Sequence, residues 1–477
     1  MRFAWAIAAV WLPLAFSGCA DFKGMPSLEM KLPEIFQQKP AAQTPIKLRN
    51  NWWKHTNDKT LLAIIHALET QNLSLEQARL RLNAARLDTQ EFDYLPSFTA
   101  KTEAQYERLF KGNAVVGDTF NAQPGGRKTT GSYNAKLDAS WEVPIYGQLG
   151  DTADIANANI AFAQADVDAV RASVISEAIR LYAEMRSRQQ EALKRQAVVT
   201  AARTITLYQK IKHQAGLITD SELGASHQSL LTARNERQRA ESEAVARMQQ
   251  LANLLGSARP NETWKAPAGI PSFDVPAFDD TPLDVLRNRP DIRKAEASVL
   301  AAAGEFELSK SDLYPKLTLS GNLSQLDNLT GNPLTGKTVQ LTGIPALSLP
   351  LFDWGKRLAT ARIQDEKLSE TASSYRATVI GAMNEVEEFW STYRMAKEVE
   401  KSAGENTLIA HKASVHANLL FKQGINEGIA AETAAVDAAS AAIAELQART
   451  ETITKLTALT KALGGASGPT LSEKPDA

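Results

Sequence analysis

Residues Asp151 to Ala215 read DTADIANANIAFAQADVDAVRASVISEAIRLYAEMRSRQQEALKRQAVVTAARTITLYQKIKHQA and contain neither glycine nor proline. Ala, Glu, Gln and Arg are frequent in the stretch, and these residues favour an α-helix at nearly every position. A single helix of this length would measure roughly 97 Å, so one compact core cannot contain it. The stretch therefore predicts a protein built around a helix much longer than a globular domain.

The apolar residues of this helix form two seams that repeat every seven residues, as in helices that pack side by side. The seams consist of Ile155, Phe162 and Ala169, and of Ile160, Val167, Val174 and Leu181. An offset of five residues places the seams about 140° apart around the helix. We therefore expect the helix to pack against a neighbour on each side, as in a wall of helices.

Composition argues against several classes of function. The chain has 477 residues and a formal net charge of −1, so it offers no basic face for nucleic acid. None of its six histidines has the spacing of a metal site, and the sequence contains no nucleophile motif. The sequence therefore predicts no enzyme, no catalytic residue, no metal site and no cofactor.

The first 18 residues resemble a secretory signal peptide. An apolar, uncharged run follows Arg2 and ends at Phe16, and it is too short to span a membrane. The following Ser17-Gly18-Cys19 resembles the bacterial lipoprotein processing site, although Phe16 stands where leucine is usual. We expect acylation at Cys19, the only cysteine of the chain; a plain signal peptide with a chance cysteine is the alternative.

The residues after Cys19 predict an anchored tether. In this class of lipoprotein an aspartate directly after the cysteine commonly means retention in the inner membrane, and Ala20 occupies that position. The resemblance therefore favours the outer membrane. Prolines at positions 26, 33, 40 and 45 interrupt residues 19–56, which we interpret as an extended, acylated tether.

Two segments after Pro96 alternate between apolar and polar residues. The apolar positions are Phe98, Ala100, Thr102, Ala104 and Tyr106, and then Tyr133, Ala135, Leu137, Ala139 and Trp141. The opposite positions include Lys101, Glu103, Lys136 and Asp138. This period of two predicts a β-hairpin with one apolar and one polar face. A half-buried hairpin of a soluble protein is one interpretation, but aromatic residues near the strand ends are typical of strands that cross a membrane.

The order of elements occurs twice, which indicates an internal two-fold repeat. Matching positions lie 219, 206 and 208 residues apart for Pro96/Pro315, Pro144/Pro350 and Gly216/Gly424. The first repeat covers 57–255, with a helix, the hairpin 96–143, the long helix 151–215, a turn at 216–218 and a helix at 219–255. The second covers 289–463, with a helix, a hairpin at 315–350, a long helix at 356–423, a turn at 424–428 and a helix at 429–463. A proline-rich stretch (256–288), either a linker or a small equatorial side domain, lies between them, and the tail 464–477 is predicted to be disordered.

Four amphipathic strands in one chain do not complete a membrane structure. An open sheet would leave the backbone groups of its edges unsatisfied in lipid, at several kcal/mol each. Two chains would give eight strands with a filled interior, and three would give twelve strands with room for a lumen. We therefore expect a mixed α and β membrane protein, whose long helices continue from the strands into the periplasm and close into a tube.

Several short motifs accompany this pattern: the Cys19 site, Trp52-Trp53, Tyr146-Gly147, Arg289-Pro290-Asp291-Ile292, Phe352-Asp353-Trp354-Gly355 and the glycines Gly216 and Gly424. Together they resemble the TolC-like outer-membrane efflux family, in its lipoprotein branch that serves resistance–nodulation–division pumps. The resemblance implies a homotrimer, with a twelve-stranded transmembrane β-barrel continued by a periplasmic α-helical barrel. It also implies anchoring in the outer-membrane lipid, docking to a periplasmic adaptor and an inner-membrane pump, and a passive channel.

Two turns at the ends of the long helices are candidate docking sites. Gly216 and Gly424 allow a sharp reversal, since glycine adopts a positive φ without strain. In the resembled family these turns are the periplasmic tips that contact the adaptor, which implies that role for Gly216, Leu217, Gly424 and Ile425. Gln423 departs from the small or apolar residue that is usual there. A bare helix end without a partner is the alternative.

Four acids lie just beyond these turns, namely Asp220, Glu222, Glu427 and Glu432. Repeated threefold around an axis, they would attract cations and hold a closed gate through ion pairs. The resembled family often has an aspartate nine residues after the second tip glycine, where this chain has Thr433. A solvated helix start, at which acids favour the helix dipole, is the alternative.

The function that the resemblance implies is a passive exit duct of a tripartite efflux system for small toxic compounds, whether drugs, metals or other small molecules. A duct for type I protein secretion is one alternative, which the lipoprotein anchor and the Arg-Pro-Asp-Ile motif disfavour. A coiled-coil adaptor lipoprotein without a pore is another, and it would need no aromatic-rimmed hairpin in both repeats.

Overall fold

The computed structural model describes residues 22–28, 52–88, 96–109, 128–273, 288–328, 338–350 and 352–465. The helices within these ranges are α1 (Lys59–Gln71), α2 (Leu73–Asp88), α3 (Gln148–Gln214), α4 (Asp220–Leu254), α5 (Pro290–Ser311), α6 (Trp354–Lys422) and α7 (Gly428–Ala462). The strands are β1 (Ser97–Leu109), β2 (Lys128–Val143), β3 (Lys316–Asn328) and β4 (Thr338–Ser348). Short 3-10 helices cover Trp52–His55 and Glu262–Lys265.

The chain forms two compact units. The sheet unit comprises the described residues within 1–27, 87–158 and 299–372, and the helical unit comprises the described residues within 28–86, 159–298 and 373–477. Among the described residues, no helix is both long enough and apolar enough to cross a membrane.

The four strands form one antiparallel sheet in the order β1-β2-β3-β4. The register pairs apolar with apolar residues, as in Phe98 with Ala139 and Ala100 with Leu137. Phe98 is 72% exposed, and Leu341 on β4 is 80% exposed, so the apolar face of one chain is uncovered. Within this sheet β1 and β4 each have one unpaired edge.

The opposite face of the sheet carries the charged residues that the alternation predicted. Lys101 lies directly opposite Lys136 in the register. Lys136 Nζ lies 3.3 Å from Asp138 Oδ1, and Asn322 donates to the same carboxylate. On this polar face, the Asn322–Asp138 hydrogen bond therefore joins β3 to β2, and the Lys136–Asp138 pair lies within β2.

The long helices begin earlier than the predicted positions 151 and 356. Helix α3 starts at Gln148, whose side-chain oxygen accepts the Tyr146 N–H at 2.9 Å, and it includes Gly150. Helix α6 starts at Trp354 and ends at Lys422. Glycine lowers helix propensity by only about 1 kcal/mol, which the remaining turns of so long a helix outweigh.

The two predicted seams of α3 face different partners in the chain. In the second seam Val167, Val174 and Leu181 are buried. In the first seam Ile155 lies against Gly304 of α5, whereas Phe162 stays 39% exposed beneath Lys294 Nζ, 4.8 Å from the ring centre. Lys294 and Gly304 both belong to α5, so this helix lies beside α3 at both of these positions of the first seam, and a lysine covers the phenylalanine.

The predicted extended tether, 19–56, packs against the rest of the chain at both of its described ends. Trp52 and Trp53 are buried in the core of the helical unit, and Thr56 pairs with Phe273. Near the other end, the Phe22 and Phe306 rings meet edge to face at 5.4 Å. Large aromatic side chains gain too much from burial to remain in a solvated tether.

Hydrogen bonds set two further boundaries. The first predicted helix is interrupted at Asn72, whose side chain accepts the Leu75 N–H at 2.9 Å and donates to the Leu254 carbonyl at 2.6 Å. The predicted disordered tail begins too early, since the Gly464 and Gly465 N–H groups still donate to carbonyls of the last turn of α7. Residues 466–477 lie outside the described residues.

Candidate functional site

The first candidate site is the turn between α3 and α4. The Gly216 N–H donates to the His213 carbonyl at 2.9 Å, and the Leu217 N–H donates to the Lys212 carbonyl at 2.9 Å. This pair of bonds is the Schellman motif, which satisfies the last carbonyls of a helix and requires a positive φ at the residue after the cap. Gly216 supplies that conformation with a φ of 70°.

The second turn, between α6 and α7, has the same geometry. The Gly424 N–H donates to the Phe421 carbonyl at 2.9 Å, and the Ile425 N–H donates to the Leu420 carbonyl at 3.0 Å. Gly424 has a φ of 73°. The two repeats therefore end their long helices with the same hydrogen bonds, 208 residues apart in sequence.

Each turn presents one exposed aliphatic residue. Leu217 is 72% exposed and Ile425 is 69% exposed. Neither side chain is needed for the backbone bonds of its turn, because those bonds are formed by N–H and C=O groups. The two aliphatic side chains are therefore available for contact with a partner.

The start of α4 uses both of its acids locally. The Thr219 N–H and hydroxyl donate to Glu222 Oε2 at 2.8 and 2.9 Å, while Thr219 Oγ1 accepts the Glu222 N–H. This capping box satisfies the first N–H groups of the helix. Asp220 Oδ1 lies 2.7 Å from His213 Nε2. The N–H and hydroxyl of Thr219 lower the pKa of Glu222 below its ordinary value.

Replacing Thr219 with alanine is expected to loosen the first turn of α4. Loss of a typical N-cap should raise amide exchange over residues 217–225 by about fivefold, as measured by hydrogen–deuterium exchange. Ser221→Ala, which removes a neighbouring exposed hydroxyl, is the matched control. Because the folded pKa of Glu222 is lowered, the capping box stabilises the tip above the ordinary glutamate pKa, and this protection should fade as the pH drops through the lowered value. Equal exchange in both variants would contradict the role of the capping box.

The start of α7 is built differently. Glu427 occupies the N-cap position and makes no side-chain cap bond. Its carboxylate instead accepts from Lys212 Nζ at 2.9 Å, on the last turn of α3. A Cβ added at Gly428 would lie 2.7 Å from the Tyr208 ring, so glycine permits this close approach of α7 to α3. The ion pair and the close approach together join the two tips within one chain.

The two tips differ at equivalent positions of the repeat, and this difference marks residues that the motifs alone did not indicate. At the same offset of 208 residues, Glu427 replaces the capping Thr219 and Gly428 replaces Asp220. The second tip has thus lost its cap and gained a contact with α3. Comparing the repeats position by position would have singled out Glu427 and Gly428, but nothing local indicated Lys212 or Tyr208 as their partners.

The predicted acids do not form one cluster in the chain. Asp220 and Glu222 bond within the first tip, Glu427 bonds between the tips, and Glu432 makes no ion pair in the part of the chain that the structure describes. No group of three or more His, Cys, Asp or Glu residues suited to a metal ion occurs among the described residues. The predicted acylation site, Cys19, and the signal segment 1–18 lie outside the described residues.

Comparison with known proteins identifies the family. The family described as "Outer membrane efflux protein" matches residues 64–257 and 282–465, and thus both repeats. The chain belongs to the outer membrane efflux protein family. The resemblance stated from the sequence motifs is confirmed, and so is the predicted function of an outer-membrane channel for efflux. Its location is the outer membrane.

Individual relatives match nearly the whole length of the chain. Nodulation protein T of Rhizobium leguminosarum bv. viciae is 25% identical over 402 residues, which span 83% of this chain and 80% of the relative. Toxin and drug export protein A of Aggregatibacter actinomycetemcomitans is 23% identical over 462 residues, 94% and 95% of the two chains. The solved CmeC outer membrane channel of Campylobacter jejuni has a TM-score of 0.78 at 18% identity and covers 95% of this chain and 96% of its own. The fold of this chain is therefore that of an outer-membrane channel.

Proposed function

We propose that three copies of this chain form the passive exit duct of a tripartite efflux system. In this assembly an inner-membrane pump delivers small toxic compounds through a periplasmic adaptor. One observation carries the proposal: a four-stranded sheet with two unpaired edges and an uncovered apolar face continues into helices of 67 and 69 residues. Such a sheet needs further copies of itself in lipid, and helices of this length exceed what one compact domain needs.

The number of copies follows from closure of the sheet. In lipid, the unpaired N–H and C=O groups of β1 and β4 would each cost several kcal/mol, so β1 of one copy must pair with β4 of the next. Three copies of four strands give a twelve-stranded barrel with a water-filled lumen, whereas eight strands fill with side chains. The exposed apolar residues of the sheet then face lipid, and the face with Lys101 and Asp138 lines water.

The proposed anchor is acylation of Cys19. Several acyl chains hold a protein in a membrane far more firmly than one chain, and Ala20 favours the outer membrane. The anchor and the barrel would then fix the same end of the molecule in the same membrane.

The proposed adaptor contact is made by Gly216, Leu217, Gly424 and Ile425. The glycines set the turns, and the two exposed aliphatic residues supply apolar surface that an adaptor would bury. The second tip is joined to α3 by Lys212 and Glu427, so we propose that this pair holds the tips in a closed arrangement. Asp220 and Glu222 then shape the first tip, and Glu432 is the acid left to act in a ring around the axis.

Leu217→Asp combined with Ile425→Asp is expected to abolish efflux while leaving the channel assembled. Burying two unpaired carboxylates against the adaptor costs several kcal/mol per subunit, so adaptor pull-down should fall by at least about 100-fold. Tolerance of toxic compounds is measured in a deletion strain complemented with each variant. Asn426→Asp is the control, because it adds a charge to the tip without removing apolar surface. Full tolerance in the double variant would contradict docking at these turns.

The same deletion strain tests the function as a whole. The strain should become sensitive to small toxic compounds, regain tolerance with the wild-type gene, and secrete its proteins normally. Unchanged tolerance with a lost secreted protein would favour the secretion duct. Detection of monomers alone, in the soluble fraction, after cross-linking and heat-modifiable migration would favour an adaptor lipoprotein without a pore.

A further inference from the structure

A buried carboxylate interrupts an apolar stripe of α6 in the sheet unit. The stripe runs along one face of the helix at Ala361, Leu368 and Ala372, each at most 1% exposed. Asp365 occupies the position between the first two and is 4% exposed. A carboxylate at such a position is costly unless hydrogen bonds replace the water that it loses. The residue therefore requires a specific partner.

The partner is the backbone of the chain's own N-terminal segment. The Lys23 N–H donates to Asp365 Oδ2 at 2.8 Å, and the Gly24 N–H donates to Asp365 Oδ1 at 3.1 Å. Successive N–H groups that converge on one anion form a nest, which requires a left-handed residue. Gly24 has a φ of 66° and thus supplies it without strain.

Side chains on both sides of this nest add to the contact. The Phe22 ring packs edge to face on Phe306 of α5, which is buried. The Lys23 ammonium donates to both oxygens of Glu366 at 2.6 and 2.7 Å. The Lys23–Glu366 pair is exposed and contributes little, so the buried carboxylate and the aromatic contact hold the segment.

We propose that Asp365 is the docking site for the segment that follows Cys19, and that it holds this segment at a fixed distance from the sheet. The part of the proposal that concerns the membrane rests on the proposed acylation of Cys19. The dock itself rests on the contacts of Asp365 and on the aromatic contact of Phe22, and it does not require acylation. Its ligand is two successive backbone N–H groups and not a particular side chain.

The distances suit an anchor at the membrane surface. Asp365 lies eleven residues after Trp354, the first residue of α6, which places it roughly 16 Å along the helix from the end nearest the sheet. Cys19 precedes Lys23 by four residues, which span at most about 14 Å when extended. An acylated Cys19 can therefore reach back almost to the level at which α6 begins, but not beyond it.

Tryptic cleavage after Lys23 tests the dock on the full-length protein in detergent. Docking holds the Lys23–Gly24 peptide against α6, so this bond should resist trypsin and the two amides should exchange slowly. Asp365→Asn keeps the size of the side chain but loses one acceptor and the charge, and should speed both processes by about tenfold or more. Gly24→Ala strains the positive φ on which the nest depends, so it should also speed cleavage and exchange. Glu366→Gln removes only the exposed ion pair and should stay within about twofold of wild type.

The outcomes separate the dock from the anchor. Wild-type protection in Asp365→Asn and in Gly24→Ala would overturn the dock, as would an equal loss of protection in Glu366→Gln and Asp365→Asn. Heat-modifiable migration of each variant shows that the assembly is intact. The mass of the released fragment 19–23 reports acylation separately. If the wild-type protein resists trypsin, both dock variants are cleaved faster, and the released fragment carries no acyl chains, the proposed anchor is refuted and the dock is supported.

Discussion

Replacing Arg289 with alanine is expected to destabilise the helical unit by about 2–3 kcal/mol. The guanidinium is buried and serves three groups at once. Nη1 donates to the Ala462 carbonyl at 2.7 Å, and Nη2 donates to Asp291 at 2.7 Å and to Glu385 at 2.6 Å. Alanine would leave the Ala462 carbonyl without this donor and would leave two carboxylates side by side. We place the loss below that of a fully buried pair because both carboxylates are partly exposed.

Thermal unfolding followed by circular dichroism at 222 nm measures this loss. Arg289→Lys should be intermediate, because an ammonium keeps the charge but cannot bridge all three acceptors. Arg239→Ala is the control, since Arg239 is exposed and pairs with Glu243 one turn away, a pair worth less than about 0.5 kcal/mol. If Arg289→Ala and Arg239→Ala unfold at the same temperature, the Arg-Pro-Asp-Ile motif does not hold α5 to α7.

Reversing the charge of Lys212 is expected to open the channel. Lys212→Glu would place two acids at the contact between the tips, where Glu427 now accepts from the ammonium at 2.9 Å. Glu427 is mostly exposed, so one pair contributes only about 0.5 kcal/mol, but three pairs that break together amount to about tenfold in the open fraction. Single-channel conductance in a planar bilayer should report this change.

Restoring the pair in the opposite sense is the decisive control. The double variant Lys212→Glu with Glu427→Lys should return the open fraction to that of wild type, and high salt should weaken the difference between the single variant and wild type. Glu427→Ala should open the channel, whereas Glu432→Ala should alter only the preference for cations. A double variant that stays as open as Lys212→Glu would remove this ion pair from the gate.

The helices could be predicted from the sequence because their causes are local. Sixty-five residues without glycine or proline from Asp151 onward can hardly adopt another regular structure, and the alternation after Pro96 predicted the strands for the same reason. The Schellman turns at Gly216 and Gly424 follow from a single residue type in a single place. These predictions required no knowledge of what lies across the fold.

The contacts that make the site specific could not be predicted in this way. Lys212 meets Glu427 across 215 residues, and Asp365 meets Lys23 across 342 residues. Nothing in the residues around Asp365 distinguishes it from a solvated acid except its place in the stripe of Ala361 and Leu368. Trp52 was assigned to the tether for a related reason. It follows a proline-rich stretch, and nothing local showed that it packs in the core.

Because the sheet has two unpaired edges, its folding should depend on how many chains are present per area of membrane. If no single copy can satisfy β1 and β4, the membrane part has no stable monomer, and its stability follows mass action. Lowering the number of chains per area of bilayer should then dissociate and unfold the sheet, without any change of temperature or solvent. Channel formation would be third order in the chain overall, so halving its synthesis would lower the number of channels by more than half.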